Sequence, residues 1–235
     1  MKRVGMLYPS SGISEPEIQK MLPAGVFLHI TRIPMKAPTY EEILHMADCV
    51  EEAASLLADA KVDIIAFACT AGSFIKGKGY DEEIMERIGR ATGLPATTTT
   101  TAVVTGLRTL GMKKLVLATP YKELITQKEK DFLEEEGFQV LSHKGLGLDD
   151  TYQQYETDPR RWYELIKEMQ QPLSDGYFIS CGGIRVVEII GQLEMELGKP
   201  VITSNQALVW HCLRMMGIQE PMEGFGRLLK TPLTS

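Results

Sequence analysis

No apolar run in this 235-residue chain approaches the ~20 residues that a membrane-spanning helix requires, so no membrane span is expected. The four histidines, His29, His45, His143 and His211, show no ligand spacing, and no Cys-x-x-Cys occurs, which argues against a metal site. The sequence lacks a Gly-x-Ser-x-Gly elbow and has no Gly-x-Gly-x-x-Gly after its first apolar run. Those absences speak against a hydrolase triad and a dinucleotide fold. Gly72 to Gly79 nearly fits a phosphate-binding loop, but Gly79 stands where a magnesium-binding hydroxyl is needed, which excludes nucleotide hydrolysis. Positive charge is also short: the net charge of −6 argues against nucleic acid or an anionic membrane as partner. Four cysteines without framework spacing fit a reducing cytoplasm better than a disulfide scaffold. Met1–Pro9 has a basic start but no long apolar core or cleavage site, and reads as a first strand instead of a signal peptide.

What is present is an alternation of apolar runs with amphipathic stretches, the βαβ pattern of a parallel sheet. Strands are expected at Val4–Tyr8, Val26–Ile30, Ile64–Ala68, Ala96–Thr98, Leu115–Thr119, Gln139–Ser142, Tyr177–Ser180 and Val201–Thr203. Helices are expected at Thr39–Asp59, Glu82–Arg90, Ala102–Leu110, Leu124–Glu136, Pro159–Gln170, Arg185–Leu197 and Ala207–Met216.

The pattern repeats. Pro9 follows the first strand and Cys69 comes 60 residues later; Pro120 follows the fifth strand and Cys181 comes 61 residues later. Each cysteine ends an apolar run that begins at an aspartate six positions earlier, Asp63 or Asp175. Gly93-Leu94-Pro95 and Gly198-Lys199-Pro200 complete the correspondence. The expected fold is α/β, with two pseudo-symmetric lobes, each a roughly four-stranded parallel sheet flanked by helices. The first lobe spans residues 1–100 together with part of 206–235, and the second spans 101–205, with the chain crossing near Thr99–Leu110 and after Asn205. Ligands of open parallel sheets bind beyond the carboxyl ends of the strands, so facing lobes place Pro9, Cys69, Pro120 and Cys181 around one cleft.

Cys181-Gly182-Gly183 is the strongest local signal. Its glycines let a substrate approach the backbone and leave N–H groups for a carboxylate or oxyanion; the bland alternative is a buried cysteine at a tight turn. Cys69-Thr70-Ala71-Gly72-Ser73 is the matching element, with Thr70 and Ser73 as candidate hydroxyl donors and a helix cap as the competing role for Ser73. Pro9 and Ser10 in one strand-end turn, and Tyr121 in another, could hold a second carboxylate. The threonine run 97–101 and Ser204-Asn205-Gln206 suit helix caps as well as a cleft. Cys49 and Cys212 fall within predicted helices and read as structural. Amides at a helix start favour a thiolate, which supports acid/base roles for Cys69 and Cys181.

These residues carry a family likeness that covers nearly the whole chain. Ala91-Thr-Gly-Leu-Pro-Ala-Thr-Thr98, Ala102-Val-Val-Thr-Gly-Leu-Arg-Thr-Leu-Gly111, Leu117-Ala-Thr-Pro-Tyr121, Ser174-Asp-Gly176, Ser180-Cys-Gly-Gly183 and Gly224-Phe-Gly-Arg-Leu-Leu229 resemble the aspartate/glutamate racemase superfamily. The likeness lies in its branch of arylmalonate decarboxylases and maleate cis-trans isomerases. The resemblance implies two pseudo-symmetric lobes and no cofactor. Racemases and isomerases of that superfamily keep a cysteine in both lobes, whereas the decarboxylases have glycine at the first position, where this chain has Cys69. By the same likeness Thr70, Tyr121 and the Gly182 backbone belong to a carboxylate pocket. Serine of the decarboxylase pattern is replaced by Ala71, and an asparagine of the isomerases lies near the position of Gly12.

Three functions are in play. The first is a cofactor-independent isomerase, cis-trans or racemising, acting on a small carboxylic or dicarboxylic acid with one thiolate and one thiol at neutral pH. The second is an arylmalonate-type decarboxylase with Cys181 as proton donor, and the third a non-catalytic carboxylate-binding protein. A homo-oligomer is compatible with all three.

Overall fold

The computed structural model describes residues 1–233. In chain order the elements are β1 (Lys2–Pro9), α1 (Glu15–Lys20), β2 (Val26–Ile33), α2 (Tyr40–His45), α3 (Val50–Asp59), β3 (Ile64–Phe67), α4 (Thr70–Phe74), α5 (Tyr80–Thr92) and β4 (Ala96–Thr98). There follow α6 (Thr99–Thr109), β5 (Lys114–Thr119), α7 (Glu123–Glu135), β6 (Gln139–Gly145), α8 (Thr151–Glu156), α9 (Pro159–Glu168), β7 (Gly176–Ile179), α10 (Ile190–Leu197), β8 (Val201–Thr203) and α11 (Ser204–Met215).

All strand pairings are parallel, in two four-stranded sheets of order β2-β1-β3-β4 and β6-β5-β7-β8. The repeat read from landmarks is therefore a repeat of topology. Central strands are buried on both faces, which is why they read as unbroken apolar runs: every residue of Ile64–Phe67 and of Gly176–Ile179 is buried. The two aspartates have a structural reason. Asp63 accepts the Arg3 N–H at 2.7 Å and Asp175 the Lys114 N–H at 2.7 Å, so each tethers the start of the neighbouring strand. Those backbone bonds hold both carboxyls below the usual range.

Each of the eight expected strands is present, several a residue or three longer or shorter. Three short helices, α1, α4 and α8, carry too few turns for a periodic apolar stripe and were not anticipated. The expected helix Thr39–Asp59 is broken into α2, a 3-10 turn at Met46–Cys49 and α3. The helix expected from Arg185 begins only at Ile190, after an irregular segment that follows Cys181. Among the described residues no helix is long and apolar enough to cross a membrane.

The lobes are tied by their last helices. Thr98 caps α6 and Thr203 caps α11, the latter in a capping box with Gln206; the cap is thus Thr203 and not Asn205. The two helices pack together, and α11 also lies against β3 and β4 of the first sheet. Every residue of α11 from Ser204 to Arg214 is buried, as a helix held between two lobes must be. This packing supports our proposal that part of 206–235 belongs with residues 1–100 and that 101–205 forms the other lobe. Cys212 is fully buried in α11 and Cys49 half-buried in the 3-10 turn.

Candidate active site

The carboxyl ends of β1 and β3 face those of β5 and β7 across a cleft lined from both lobes. Pro9, Cys69, Thr70 and Ala71 line it from the first lobe, and Tyr121, Cys181, Gly182 and Gly183 from the second. Ser10, expected in this group, is not in the lining. It is exposed, and its hydroxyl donates to the Met35 carbonyl and accepts the Met35 N–H, each at 3.0 Å. A hydroxyl clamped to the β2–α2 loop serves that loop.

Cys69 caps α4: its extended backbone turns Sγ onto the helix start, where it accepts the Gly72 N–H at 3.3 Å. A Cβ at residue 72 would sit 3.2 Å from that sulfur and 3.0 Å from the Phe67 ring, so glycine allows the approach. The candidate donors beside it are already engaged. Thr70 Oγ1 donates to Ser204 Oγ at 2.9 Å, and the fully buried Ser73 hydroxyl bonds Cys69 O, Thr70 O and Thr100. Thr70 therefore faces the cavity without a free hydroxyl proton, and Ser73 does not reach it.

Cys181 is held differently. Its φ is +106°, a conformation that costs an L-residue about 1–3 kcal/mol. The surroundings enforce it: Cys181 N–H donates to Ser204 Oγ at 3.0 Å, and the Gly182 carbonyl accepts from Ser14 Oγ and, at 3.1 Å, Asn205 Nδ2. The turn brings Sγ back over the Gly183 N–H, which donates to it at 3.1 Å. Of the two amides expected to be free, Gly183 is thus spent on the thiol. The Gly182 N–H has no acceptor among the described residues.

Both sulfurs accept an amide proton, yet burial dominates their acidity. It pushes Cys69 up to about 11 and Cys181 up to about 12, with the bonds from Gly72, Ala71, Tyr121 and Gly183 opposing it only in part. Burial therefore works against the resting thiolate expected from the helix-start amides. The tyrosines of the lining follow the same rule, Tyr8 pushed up to about 12 and Tyr121 well above its ordinary value by burial.

Several site residues escaped the sequence reading. Gln154 on α8 is buried; its Oε1 lies 3.6 Å from Cys181 Sγ, placed to accept the thiol proton, while Nε2 donates to Leu148 O at 3.2 Å. Thr151, on the same helix, donates to Ser11 Oγ at 3.0 Å and closes one side of the cleft between lobes. The available signal was Asp150, whose carboxylate caps α8 by accepting the Gln153 N–H. Met35, Pro38 and Ile43 make an apolar end, and no Lys, Arg, His, Asp or Glu enters the lining. At Gly12 a Cβ would lie 2.3 Å from the Tyr8 ring, so no larger residue fits while Tyr8 stands there.

Tyr121 is anchored by a second close approach. A Cβ on Gly145 would meet Tyr121 O at 2.3 Å and Thr126 Oγ1 at 2.7 Å. Gly145→Ala is expected to cost about 1–3 kcal/mol, seen as a lower denaturant midpoint at unchanged slope, and to lower turnover by moving Tyr121.

The model of a family described as arylmalonate decarboxylase matches residues 4–229. A maleate isomerase of Geobacillus stearothermophilus is 28% identical over 242 residues, covering 97% of this chain and 96% of that protein. An arylmalonate decarboxylase of Bordetella bronchiseptica is 28% identical over 229 residues, covering 96% and 95%. The fold superposes on a cysteine-to-alanine variant of the maleate isomerase Iso from Pseudomonas putida S16, solved with maleate. That match has a TM-score of 0.93 at 28% identity, covering 98% of both chains.

Proposed function

The chain belongs to the arylmalonate decarboxylase family, and from that premise we propose that it is a cofactor-independent isomerase of a small carboxylic acid, using Cys69 and Cys181 from opposite lobes. One observation carries the reading. The two thiols line the same cavity, and apart from two tyrosines they are its only titratable groups among the described residues. Proton transfer or nucleophilic attack within that lining falls to the sulfurs. The likeness to maleate isomerases, one of them solved with maleate, makes a cis-butenedioate the first substrate to test.

Cys69 is assigned as the nucleophile and Cys181 as the second acid/base group, and burial raises both thiols. A carboxylate of the bound substrate takes the Cys69 proton, to be returned when the product leaves, and Cys69 Sγ adds to one alkene carbon. The displaced electron pair moves into the adjacent carboxylate as an enediolate, toward the Gly182 N–H. The former double bond is now single and rotates. The pair then returns, the carbon–sulfur bond breaks and the trans acid leaves. The Cys181 thiol, on the second wall, can protonate the enediolate carbon and take that proton back, so the intermediate is shared between anion and neutral adduct. Oxyanion donors of this kind contribute about 2.7–4 kcal/mol in other enzymes.

The expected result is conversion of maleate to fumarate, followed by proton NMR in deuterated buffer, with deuterium entering only if Cys181 protonates the intermediate. A second reading, decarboxylation of a substituted malonate with Cys181 as proton donor, is favoured by the apolar end formed by Met35, Pro38 and Ile43, which suits an aryl group. Carbon dioxide release from an arylmalonate with no cis-trans conversion would establish it instead. Exchange at Cα of an amino acid would mark a racemase.

A further inference from the structure

Beneath the cavity lies an acid that the reaction just described does not use. Glu129, on α7, is buried, with 1% of its surface exposed. One carboxyl oxygen accepts the hydroxyl proton of Ser180, the residue immediately before Cys181. The other, Oε2, has no hydrogen-bond partner among the described residues. A carboxylate has about four acceptor sites, and leaving them empty in an apolar interior is costly, whereas a carboxylic acid needs far less.

Among the described residues nothing around it supplies a countercharge. On α7 itself, Lys128 lies over the Tyr40 ring and Lys130 pairs with Glu134. On β6, His143 faces Glu123 and Lys144 pairs with Glu168. The helix α4, packed against α7, has no charged side chain. The titratable groups that do face Glu129 are Cys181 and Tyr121, neither of them a cation.

We propose that Glu129 is a positioning residue that must stay a neutral carboxylic acid for Cys181 to work: protonated, it holds Ser180 and the strand end beneath the thiol, and ionised, it sets an anion beside a sulfur that must itself become anionic. The inference rests on the reading of Cys181 as the acid/base group. Burial raises Glu129 to about 8, with the Ser180 bond opposing it. The loss of its proton then falls just above neutral pH, and its charge pushes Cys181 further up. The sign follows: as pH rises through about 8, the Cys181 thiolate should grow less steeply than tenfold per unit, because each ionised Glu129 opposes it.

The test reads the thiol and not turnover, so it stands even if the substrate is misassigned. In Cys69→Ala protein, the rate of Cys181 alkylation by iodoacetamide is followed from pH 6.5 to 10, beside the same protein carrying Glu129→Gln or Glu129→Leu. Both replacements are neutral. Each should alkylate about tenfold faster at pH 9, equivalent to one unit of thiol acidity, and should give a simple thiolate titration without an inflection near pH 8. In the protein with Cys69 restored, Glu129→Gln should keep activity at pH 7 within about twofold and lose less of it above pH 8 than the native enzyme. Coincident alkylation profiles would overturn the proposal. So would failure of both neutral variants to fold beside a well-folded parent, because the interior would then require the anion.

Discussion

Alanine at either Cys69 or Cys181 is expected to end turnover while leaving the fold in place. An acid/base group contributes about 10²–10⁴-fold, and loss of the group that forms a covalent bond removes the reaction path itself. The cost in stability should be small, since each substitution deletes one buried sulfur and leaves the neighbouring strand intact. Steady-state assays with circular dichroism separate the two effects. The pattern across both variants discriminates among chemistries. An isomerase with two thiols loses everything in each, whereas a decarboxylase tolerates Cys69→Ala and fails only with Cys181→Ala. A carboxylate-binding protein shows no turnover in the native form and unchanged binding in both.

Glu17→Ala should have the largest effect on stability. This α1 carboxylate is buried and accepts the N–H groups of Val186 and Val187 at 2.7 and 2.6 Å and Asn205 Nδ2 at 2.9 Å. Burial raises its pKa, and the three donors offset that only in part. Truncation strands all three donors inside the interface between lobes, at about 1–3 kcal/mol each before relaxation. The expected loss is about 3–5 kcal/mol, a large share of the 5–15 kcal/mol that typically separates folded from unfolded chains. Asn205 also holds the Gly182 carbonyl, so the Cys181 turn should loosen and activity fall. Urea denaturation and Cys181 alkylation report the two consequences. A midpoint unchanged from native would show that solvent or rearrangement satisfies those donors.

The parts of the site that could be read from the chain are those set by local pattern. Cys69 and Cys181 stood out because an apolar run and a small-residue turn bracket each of them, and because the bracket occurs twice. Gln154 was not legible: residues 143–158 have no apolar period, and only the Asp150 cap marks a helix there. Ser204 was noticed as a polar residue after the last strand, but its bond to the Cys181 amide joins residues 23 positions apart. The hydroxyls of Ser10, Thr70 and Ser73 show the same limit of local pattern. A hydroxyl in a strand-end turn can face a ligand or a nearby carbonyl, and the choice depends on what the next loop presents.

Composition and periodicity were enough to determine two repeated parallel α/β units with a cysteine at the end of a central strand in each, because strand burial and turn chemistry act over a few residues. Tertiary structure alone decided how acidic those cysteines are. Acidity depends on how much water the opposite lobe excludes, and that is a property of the closed cleft, where desolvation outweighs the local amides.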